Sequence, residues 1–535
     1  MKQIFTILLL SVLCTSAFAQ HRYHVENLTD YSQVSATASN QHRIGLRETA
    51  PIPCTGSPKI PVVLVQFADK SFSCDTLFDE TIEHSDANVH DFYERFCNGS
   101  DDPDEDYRYT IGSLGPVAHY FYNCSYGKFL PEFVVIGPVT LSQSWEYYGK
   151  DNSDNNKDVN INAFYTEALQ KANELGIDWS QFDNNGEGTT DFVFFIFAGE
   201  GQNAYGTISD IKDLIEEYPD EYDLSLANLI WPKEVTSTTT VGGHRFGGYG
   251  CTNEIYSNSV DGIGTMCHEL SHGLGLPDFY DTAGNSFGLD YYDLMDSGCY
   301  CQLGRAPSMY NAYEREFMGW SSIETIDITQ PQTITIQPIE NEGKAYKIVN
   351  PSNSSEYFFM ENRQRLDYDY YYAYIASSQL KKYGENSGLI IYHLDYVKSR
   401  WTSNIVNSIA SHQYFTLLPA DDELISSSKG YTEEYFNSMV RDLYPGANNV
   451  TSIDSSRFVC WTGNTIPVNI TRIQQNDDLS ITIDINGGEQ TDIVSVEEEN
   501  DVTAQHSVFY DLSGRRVETP SKGVYIKDGK KYFVK

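Results

Sequence analysis

Basic residues are scarce in this sequence: 36 Lys and Arg stand against 75 Asp and Glu, so the formal net charge is −39 over 535 residues. Such a chain would repel a phosphate backbone rather than neutralise it, which excludes nucleic acid as a partner. The sequence also contains no nucleic-acid or organic-cofactor motif. Its acidity fits an extracellular surface that is able to hold Ca²⁺.

Long apolar runs are absent after the N-terminal segment. No later stretch reaches the roughly 20 apolar residues of a membrane-spanning helix. The first twenty residues read MKQIFTILLLSVLCTSAFAQ, with Lys2 before the apolar residues 4–13 and a small-x-small site at residues 17–19. This order predicts a secretory signal peptide over residues 1–19. We therefore expect a secreted or cell-surface protein.

Cysteines are few and odd in number, so they do not define a disulfide framework. Nine remain after residue 19, and an odd number in an oxidising compartment leaves at least one free thiol. Cys267 lies on the apolar stripe of a predicted helix and is our candidate for a buried free thiol. The spacing of Cys299 and Cys301 does not resemble a zinc ribbon, so we interpret these two as structural.

The segment HELSHGLGLPD, residues 268–278, is the one place where spacing dictates chemistry. Histidines at i and i+4 share one face of a helix, so His268 and His272 can both reach a single Zn²⁺. Glu269 follows the first histidine, which is the position of the general base in this motif. The apolar residues of the same segment recur at helical spacing, so the helix is also expected to be buried.

The third metal ligand is expected just after this helix. Gly275 allows the backbone to leave the helix and Pro277 prevents its continuation, which brings Asp278 toward the two histidines. An alternative places the third ligand on a later helix, as in thermolysin-like enzymes, with Glu314 or Glu316 as candidates. Loss of zinc affinity on replacing Asp278 distinguishes the two.

Several segments together resemble the immune inhibitor A family of secreted zinc metallopeptidases, which are metzincin-like. They are HELSHGLGLPDFYDT, DLMDSG and the run that ends in FMGW, with VVLVQFAD and AHYFYNCSYGKF before them. The later segments EYFFMENRQ, GLIIYHLD, LLPADDE and LYPG are similar to the region that follows the catalytic domain in the same family. The resemblance therefore extends well beyond the zinc motif.

This resemblance implies an α/β (α+β) catalytic domain in which His268, His272 and Asp278 bind zinc and Glu269 is the base. It also implies that Met295 belongs to the methionine turn beneath the metal, as a hydrophobic floor rather than a ligand.

The sequence departs from some metzincins at one position of this turn. Two residues after the methionine, where those enzymes carry a tyrosine, this chain has Ser297. An oxyanion-stabilising tyrosine is therefore not assigned, although Tyr300 and Tyr310 are nearby in sequence.

An Asp/Asn/Gly-rich segment between a predicted helix and a predicted strand resembles the first part of a calcium loop. Oxygen side chains occupy its positions 1, 3, 5 and 9, and glycines permit the turn, but the bidentate Glu of an EF-hand is missing at position 12. A polar turn without metal is the alternative. The candidate calcium ligands are Asp183, Asn185, Glu187 and Asp191.

Alternating apolar residues after residue 326 predict a β-rich domain, which we expect to be a β-sandwich. Within it, His393 and Asp395 share a strand face, and we expect a hydrogen-bonded pair there rather than a second metal site. Near the C-terminus, FYDLSGRRVETPSKGVYIKDGKKYFVK resembles the C-terminal sorting domains of Bacteroidetes-type bacteria, whose secretion machinery in the outer membrane would be a partner; a small β appendage is the alternative.

The expected organisation follows from these segments. A polar N-terminal segment is interpreted as a propeptide or a flexible lead-in, and Cys54 near its end is a minor candidate for a zinc ligand. The expected parts are residues 1–19 (signal peptide), 20–57 (N-terminal segment), 58–325 (zinc metallopeptidase domain), 326–487 (β-sandwich), 488–504 (linker) and 505–535 (all-β sorting segment).

The predicted function is that of a secreted zinc endopeptidase acting on protein or peptide substrates. The rival is a non-catalytic, calcium-stabilised surface adhesin that keeps a structural zinc site. A structural site would fill the fourth coordination position with protein, whereas this motif offers three ligands and a base.

Overall fold

The computed structural model describes residues 50–76, 83–100, 113–153, 157–235, 239–282, 284, 286–371, 386–430 and 432–488, together with 493–495, 509–511, 515–517, 520, 522–527 and 530–534. The expected signal peptide and most of the N-terminal segment lie outside these residues. Two compact units are present, Met1–Ile326 with Ile336–Asn449 and Asp327–Thr335 with Val450–Lys535. No described helix is long and apolar enough to cross a membrane.

The helices and strands are numbered here in chain order. The α-helices are α1 (Asp86–Asn98), α2 (Val117–Cys124), α3 (Trp145–Tyr148), α4 (Ile161–Glu174), α5 (Ile208–Glu217), α6 (Ile263–Gly273), α7 (Ala312–Phe317), α8 (Lys398–Thr402) and α9 (Glu433–Asp442). The strands are β1 (Lys59–Gln66), β2 (Glu132–Thr140), β3 (Val193–Glu200), β4 (Lys233–Val235), β5 (Thr239–Val241), β6 (His244–Phe246), β7 (Tyr249–Tyr256), β8 (Ser259–Val260), β9 (Ile323–Thr325), β10 (Gln332–Ile336), β11 (Ala345–Asn350), β12 (Asn353–Arg363), β13 (Gly388–Asp395), β14 (Phe415–Leu417), β15 (Ile470–Gln475), β16 (Ile481–Ile485), β17 (Ile493–Ser495), β18 (Phe509–Tyr510), β19 (Arg516–Val517), β20 (Gly523–Lys527) and β21 (Lys530–Val534).

A mixed sheet forms the base of the first unit, with strand order β2-β1-β3-β7-β4 and β8 paired to β7. Strands β2, β1, β3 and β7 are parallel to one another, and β4 runs antiparallel to β7 at the sheet edge. Parallel strands are covered on both faces and so read as continuous apolar runs. The apolar runs near residues 59–67 and 191–198 form the buried strands β1 and β3.

Helices cover both faces of this sheet. Side chains alternate in direction along each strand, so neighbouring residues of one strand pack against helices on opposite faces. Val63 of β1 lies in a hydrophobic cluster with Phe164 of α4. Its neighbour Val62 points the other way, into a larger cluster that contains Met266 and Leu270 of α6. The α/β expectation for the catalytic region is therefore confirmed, and α6 lies in the larger of the two cores.

A second sheet, of order β14-β13-β12-β11-β9, belongs to the same compact unit. Phe359 of β12 and Tyr392 of β13 are register partners whose rings stack at 4.5 Å. Both residues share the larger hydrophobic cluster with Met266 of α6. This sheet is thus part of the same core as α6.

The arrangement differs from the expected single β-sandwich over residues 326–487. The strands predicted there are present, but β10, β15 and β16 form a three-stranded sheet in the second unit, while β11 to β14 stay in the first. Alternation predicts that a segment is a strand but does not specify which surface covers its apolar face. Here that surface is supplied by the catalytic region.

The second unit also contains a five-stranded sheet of order β17-β21-β20-β18-β19. Strand β17 comes from the expected linker and pairs in parallel with β21. The C-terminal segment is therefore β-structured in its described parts, as expected.

The nine described cysteines are all free in this structure, and all except Cys54 are buried. Cys267 is a buried free thiol, as predicted. Cys299 and Cys301 are also buried thiols, so they contribute to the core without forming a disulfide.

Candidate metal centre

Helix α6 is buried on every side, because all of its residues from Ile263 to Gly273 are buried. The chain leaves it through Gly275, whose φ of +104° is a conformation that residues with a Cβ rarely adopt. The amide of Leu276 then donates to the carbonyl of Ser271 over 3.0 Å, which turns the backbone back toward the helix. The predicted role of Gly275 is confirmed.

This turn brings three ligand groups together. One ligand atom each of His268, His272 and Asp278 lies within 4.8 Å of the other two, and all three residues are buried. Both Nε2 atoms lie 3.2 Å from Oδ1 of Asp278. Among the described residues, this is the cluster in which three or more His, Cys, Asp or Glu groups converge closely enough to hold a metal ion.

A hydrogen bond at the Nδ1 atom defines the tautomer of each histidine. Nδ1 of His268 lies 2.8 Å from the carbonyl oxygen of Leu294, and Nδ1 of His272 lies 2.8 Å from that of Leu276. A carbonyl only accepts, so each Nδ1 carries the hydrogen and each Nε2 presents its lone pair to a metal. Two imidazole nitrogens and one carboxylate oxygen are a donor set that suits Zn²⁺.

The charges of the cluster favour a bound cation. Burial opposes charge on the imidazoles, yet the Asp278 carboxylate raises the pKa of His268, and that of His272 to about 10. Burial also opposes the charge of Asp278, but the two histidines hold its pKa well below its usual range. A metal ion that binds here therefore competes with protons.

Glu269 is buried beside these ligands on α6. Its burial is the main cause that raises its pKa to about 6, although the charges of the two histidines lower it. A carboxylate with this pKa is ionised at neutral pH and is still basic enough to accept a proton, which is what a general base requires.

Met295 lies in the buried turn that supports the centre. It is fully buried, and its carbonyl accepts a hydrogen bond of 2.8 Å from the amide of Phe279, the residue after Asp278. The side chain of Asp293 caps this turn by accepting from the amide of Met295 over 2.7 Å. The preceding residue, Leu294, provides the carbonyl that orients His268.

Strand β4 is the last strand in the order of the main sheet, and it lies near the centre. It pairs with β7 through Lys233 with Cys251 and Val235 with Tyr249. Between them lies Glu234, whose charge contributes to the raised pKa values of His272 and Glu269. Edge strands are the elements to which an extended peptide can add through backbone hydrogen bonds.

The alternative ligands do not join the cluster. Glu314 caps α7 by accepting from the amide of Asn311, and Glu316 accepts from the amide of Ile323. The thiol of Cys54 points to the carbonyl of Met318 at 3.4 Å.

The two strand residues that we considered as a second metal pair have separate partners. His393 Nε2 lies 3.0 Å from Glu356, whereas Asp395 pairs with His412 at 2.9 Å. Each is thus hydrogen-bonded, but to a different residue and not to the other.

Three of the four candidate calcium ligands accept hydrogen bonds from their own loop. Asp183 accepts from the amides of Glu187 and Gly188 at 2.9 and 2.8 Å, and Asn185 accepts from the amide of Glu187 at 3.0 Å. Asp191 is buried and accepts from Asn184. These contacts stabilise the turn by themselves, and calcium binding there stays a prediction.

Two residues near the centre were not identified from the sequence. The charge of the Asp278 carboxylate is the main cause that raises the pKa of the Tyr280 hydroxyl, and a hydrogen bond between the two side chains contributes, although 40% of Tyr280 is exposed. Its position two residues after Asp278 was a signal that could have been used. Asn404 contacts Asp278 directly and had no signal in the sequence.

The tyrosines first considered for the oxyanion have other contacts. The Tyr310 hydroxyl is hydrogen-bonded to Ser271 in the core, and the Tyr300 ring stacks on Tyr256 at 5.6 Å. Ser297 donates to Asp296.

A buried helix with two histidines and a glutamate in H-E-x-x-H spacing, followed by a third converging ligand, defines a metallopeptidase centre. The profile of the family described as "Immune inhibitor A peptidase M6, catalytic domain" matches residues 54–322, about half of the chain. The chain belongs to this family of peptidases.

Two curated relatives are similar over part of their length. "Immune inhibitor A" of Bacillus thuringiensis subsp. alesti is 25% identical over 299 residues, which cover 50% of this chain and 41% of the relative. "Pre-pro-metalloprotease PrtV" of Vibrio cholerae serotype O1 is 24% identical over 229 residues, or 37% of this chain and 24% of the relative. The match thus spans less than half the length of either relative.

Proposed function

We propose that this chain is a secreted zinc-dependent endopeptidase that hydrolyses peptide bonds in extracellular proteins. The observation that supports this most is the convergence of His268, His272 and Asp278 beside Glu269 on a buried helix. Three protein ligands leave one position for water or substrate, as in catalytic zinc sites. The rival adhesin needs a fourth protein ligand to close its structural site, and this cluster offers three.

The chemistry follows from the positions of these residues. When bound, zinc supplies a Lewis acid that polarises the scissile carbonyl and lowers the pKa of water. Glu269 accepts a proton from the attacking water and returns it to the leaving amine, and its pKa of about 6 keeps it ionised for the first step. The edge strand β4 orients an extended substrate through backbone hydrogen bonds.

The secreted location is part of the same proposal. It is supported by the positive, apolar and small-x-small order of residues 1–19. The β-structured C-terminal segment is proposed as a sorting signal, on its resemblance to such domains.

The test compares casein hydrolysis by the wild-type chain and by Glu269→Gln at equal zinc content. Glutamine keeps the size of the side chain but cannot accept the proton. We expect hydrolysis to fall by about a hundredfold or more, the typical contribution of a general base. The matched control is Glu174→Gln, the same change on an exposed residue at the end of α4, which should leave the rate unchanged.

Two results would contradict the proposal. Zinc-loaded wild type and Glu269→Gln that are equally inactive on casein and on unstructured peptides would favour the non-catalytic adhesin. Retention of full activity by Glu269→Gln would remove Glu269 as the base.

A further inference from the structure

The Asp278 carboxylate is held by a residue far away in sequence. Nδ2 of Asn404 donates to Oδ2 of Asp278 over 2.6 Å, and the backbone amide of Asp278 donates to Oδ1 of Asn404 over 2.7 Å. Asn404 lies 126 residues after Asp278, beyond the family match that ends at residue 322.

These two hydrogen bonds determine the orientation of both side chains. The backbone amide needs an acceptor and the carboxylate needs a donor, so the Asn404 amide fits in one orientation. With Oδ2 of Asp278 occupied by Asn404, Oδ1 is the oxygen that faces Nε2 of both histidines at 3.2 Å. Partners of this kind orient metal ligands and are commonly worth 10- to 100-fold in metal affinity.

Asn404 is itself fixed by the segment that follows α8. Its φ is +53°, in the left-handed region that asparagine tolerates, and its amide donates to the carbonyl of Trp401 over 3.1 Å. The buried Trp401 ring packs near that of Phe279, the residue after Asp278, with centroids 6.5 Å apart.

A second asparagine attaches the same segment to the ligand loop. Nδ2 of Asn407 donates to the carbonyl of Phe279 and to that of Phe415, both at 2.7 Å. Its Oδ1 accepts from the amide of Phe415 over 3.0 Å. Residues 401–407 are therefore fixed to the backbone next to Asp278 and to strand β14.

We propose that Asn404 is a positioning residue for the third metal ligand, so that a residue outside the matched catalytic region completes the support of the metal centre. This inference rests on the proposed function for the identity of the metal. The first 322 residues supply the ligands, and Asn404 holds the Asp278 carboxylate in its binding orientation.

The test measures the zinc dissociation constant of the full chain by competition with a chromophoric chelator. Asn404→Asp keeps the size, the tolerance of positive φ and the acceptor for the Asp278 amide, but replaces the donor by a carboxylate oxygen. We expect zinc binding to weaken by 10- to 100-fold. Asn404→Gly removes the side chain without backbone strain and should weaken binding in the same range.

The matched control is Asn407→Asp, the same change three residues later in the same segment. It removes hydrogen bonds to Phe279 and Phe415 but does not touch the Asp278 side chain. We expect it to lower the midpoint of urea unfolding of the zinc-free chain at least as much as Asn404→Asp does, while zinc binding stays within about threefold of wild type.

Two outcomes would overturn the inference. One is zinc binding by Asn404→Asp within twofold of wild type, and the other is equal weakening by Asn407→Asp, which would show a general effect of stability. A wild type that binds zinc but hydrolyses no peptide would refute the proposed function alone, because the zinc measurement does not depend on turnover.

Discussion

Gly264 lies in the first turn of α6, where the helix packs so closely on neighbouring backbone that a Cβ has no room. A Cβ built at this residue would lie 1.9 Å from the carbonyl oxygen of Cys299 and 3.1 Å from Cα of Gly304, whereas ordinary van der Waals contact begins at 3.4 Å. Both neighbours are backbone atoms, so neither can rotate away. In Gly264→Ala, α6 therefore has to move away from the segment around Cys299.

Two opposing effects determine the result of this substitution. Alanine is the better helix former and would gain about 1 kcal/mol in an unhindered helix. Overpacking against a structure that cannot relax typically costs about 1–3 kcal/mol and occasionally more. The contact is far inside the normal distance and involves backbone, so we expect the upper part of that range and a net loss of about 2 kcal/mol.

The assay is urea unfolding of the zinc-free chain, followed by tryptophan fluorescence, with the midpoint compared at unchanged slope. The control is Gly273→Ala on the same helix, where the added Cβ would meet the flexible end of the Ile52 side chain at 2.7 Å and a ring carbon of Phe192 at 3.2 Å. These are side-chain atoms rather than backbone atoms, so the control should lower the midpoint less than Gly264→Ala does. A Gly264→Ala midpoint equal to or above that of wild type would refute the reasoning.

Two further predictions concern buried charge. Arg363 is fully buried and pairs with Glu361 at 2.7 Å and with Asp369, so Arg363→Ala should destabilise the fold by about 3–5 kcal/mol through the unpaired carboxylates. The exposed Arg515→Ala should change urea stability by less than about 1 kcal/mol, and equal effects would contradict this account. Burial raises the pKa of Asp261 from 3.8 to about 7, so the folded state keeps a proton that the unfolded state releases, and stability falls as pH rises between these values. Asp261→Asn should therefore stabilise the chain against urea at pH 8, by up to about 4 kcal/mol, and much less at pH 4; equal effects at both pH values would refute the shift.

The candidate ligand cluster at α6 was predictable because it depends on local spacing. Histidines four residues apart share a helix face wherever the helix lies, and Gly275 allows the reversal that brings Asp278 back. The same information left Glu314 and Glu316 open as ligands, because their distance from the helix depends on tertiary packing. In the structure, Glu314 is used to cap its own helix.

The residues that orient the ligands of the centre could not be predicted from local spacing. Asn404 follows a short helix, carries no motif and becomes relevant to Asp278 through a chain reversal over 126 residues. The packing of the second sheet was not predictable either. The alternation of apolar residues in β12 and β13 predicts strands, but it does not predict that these strands share a core with α6. Local pattern specifies elements and ligands, whereas the residues that orient those ligands depend on which surfaces meet.

Two buried thiols bear on the proposal that the metal site keeps an open coordination position. Cys267 precedes His268 but belongs to the hydrophobic core, and burial raises the pKa of its thiol well above the usual value. Burial, with the charge of Glu269, does the same for Cys299. A thiolate is the form that binds zinc, and a fourth protein ligand would complete a structural site. Both thiols belong to the hydrophobic core and not to the cluster of His268, His272 and Asp278. This supports our proposal that three protein ligands hold the metal and that one position remains for the reacting water, as hydrolysis requires.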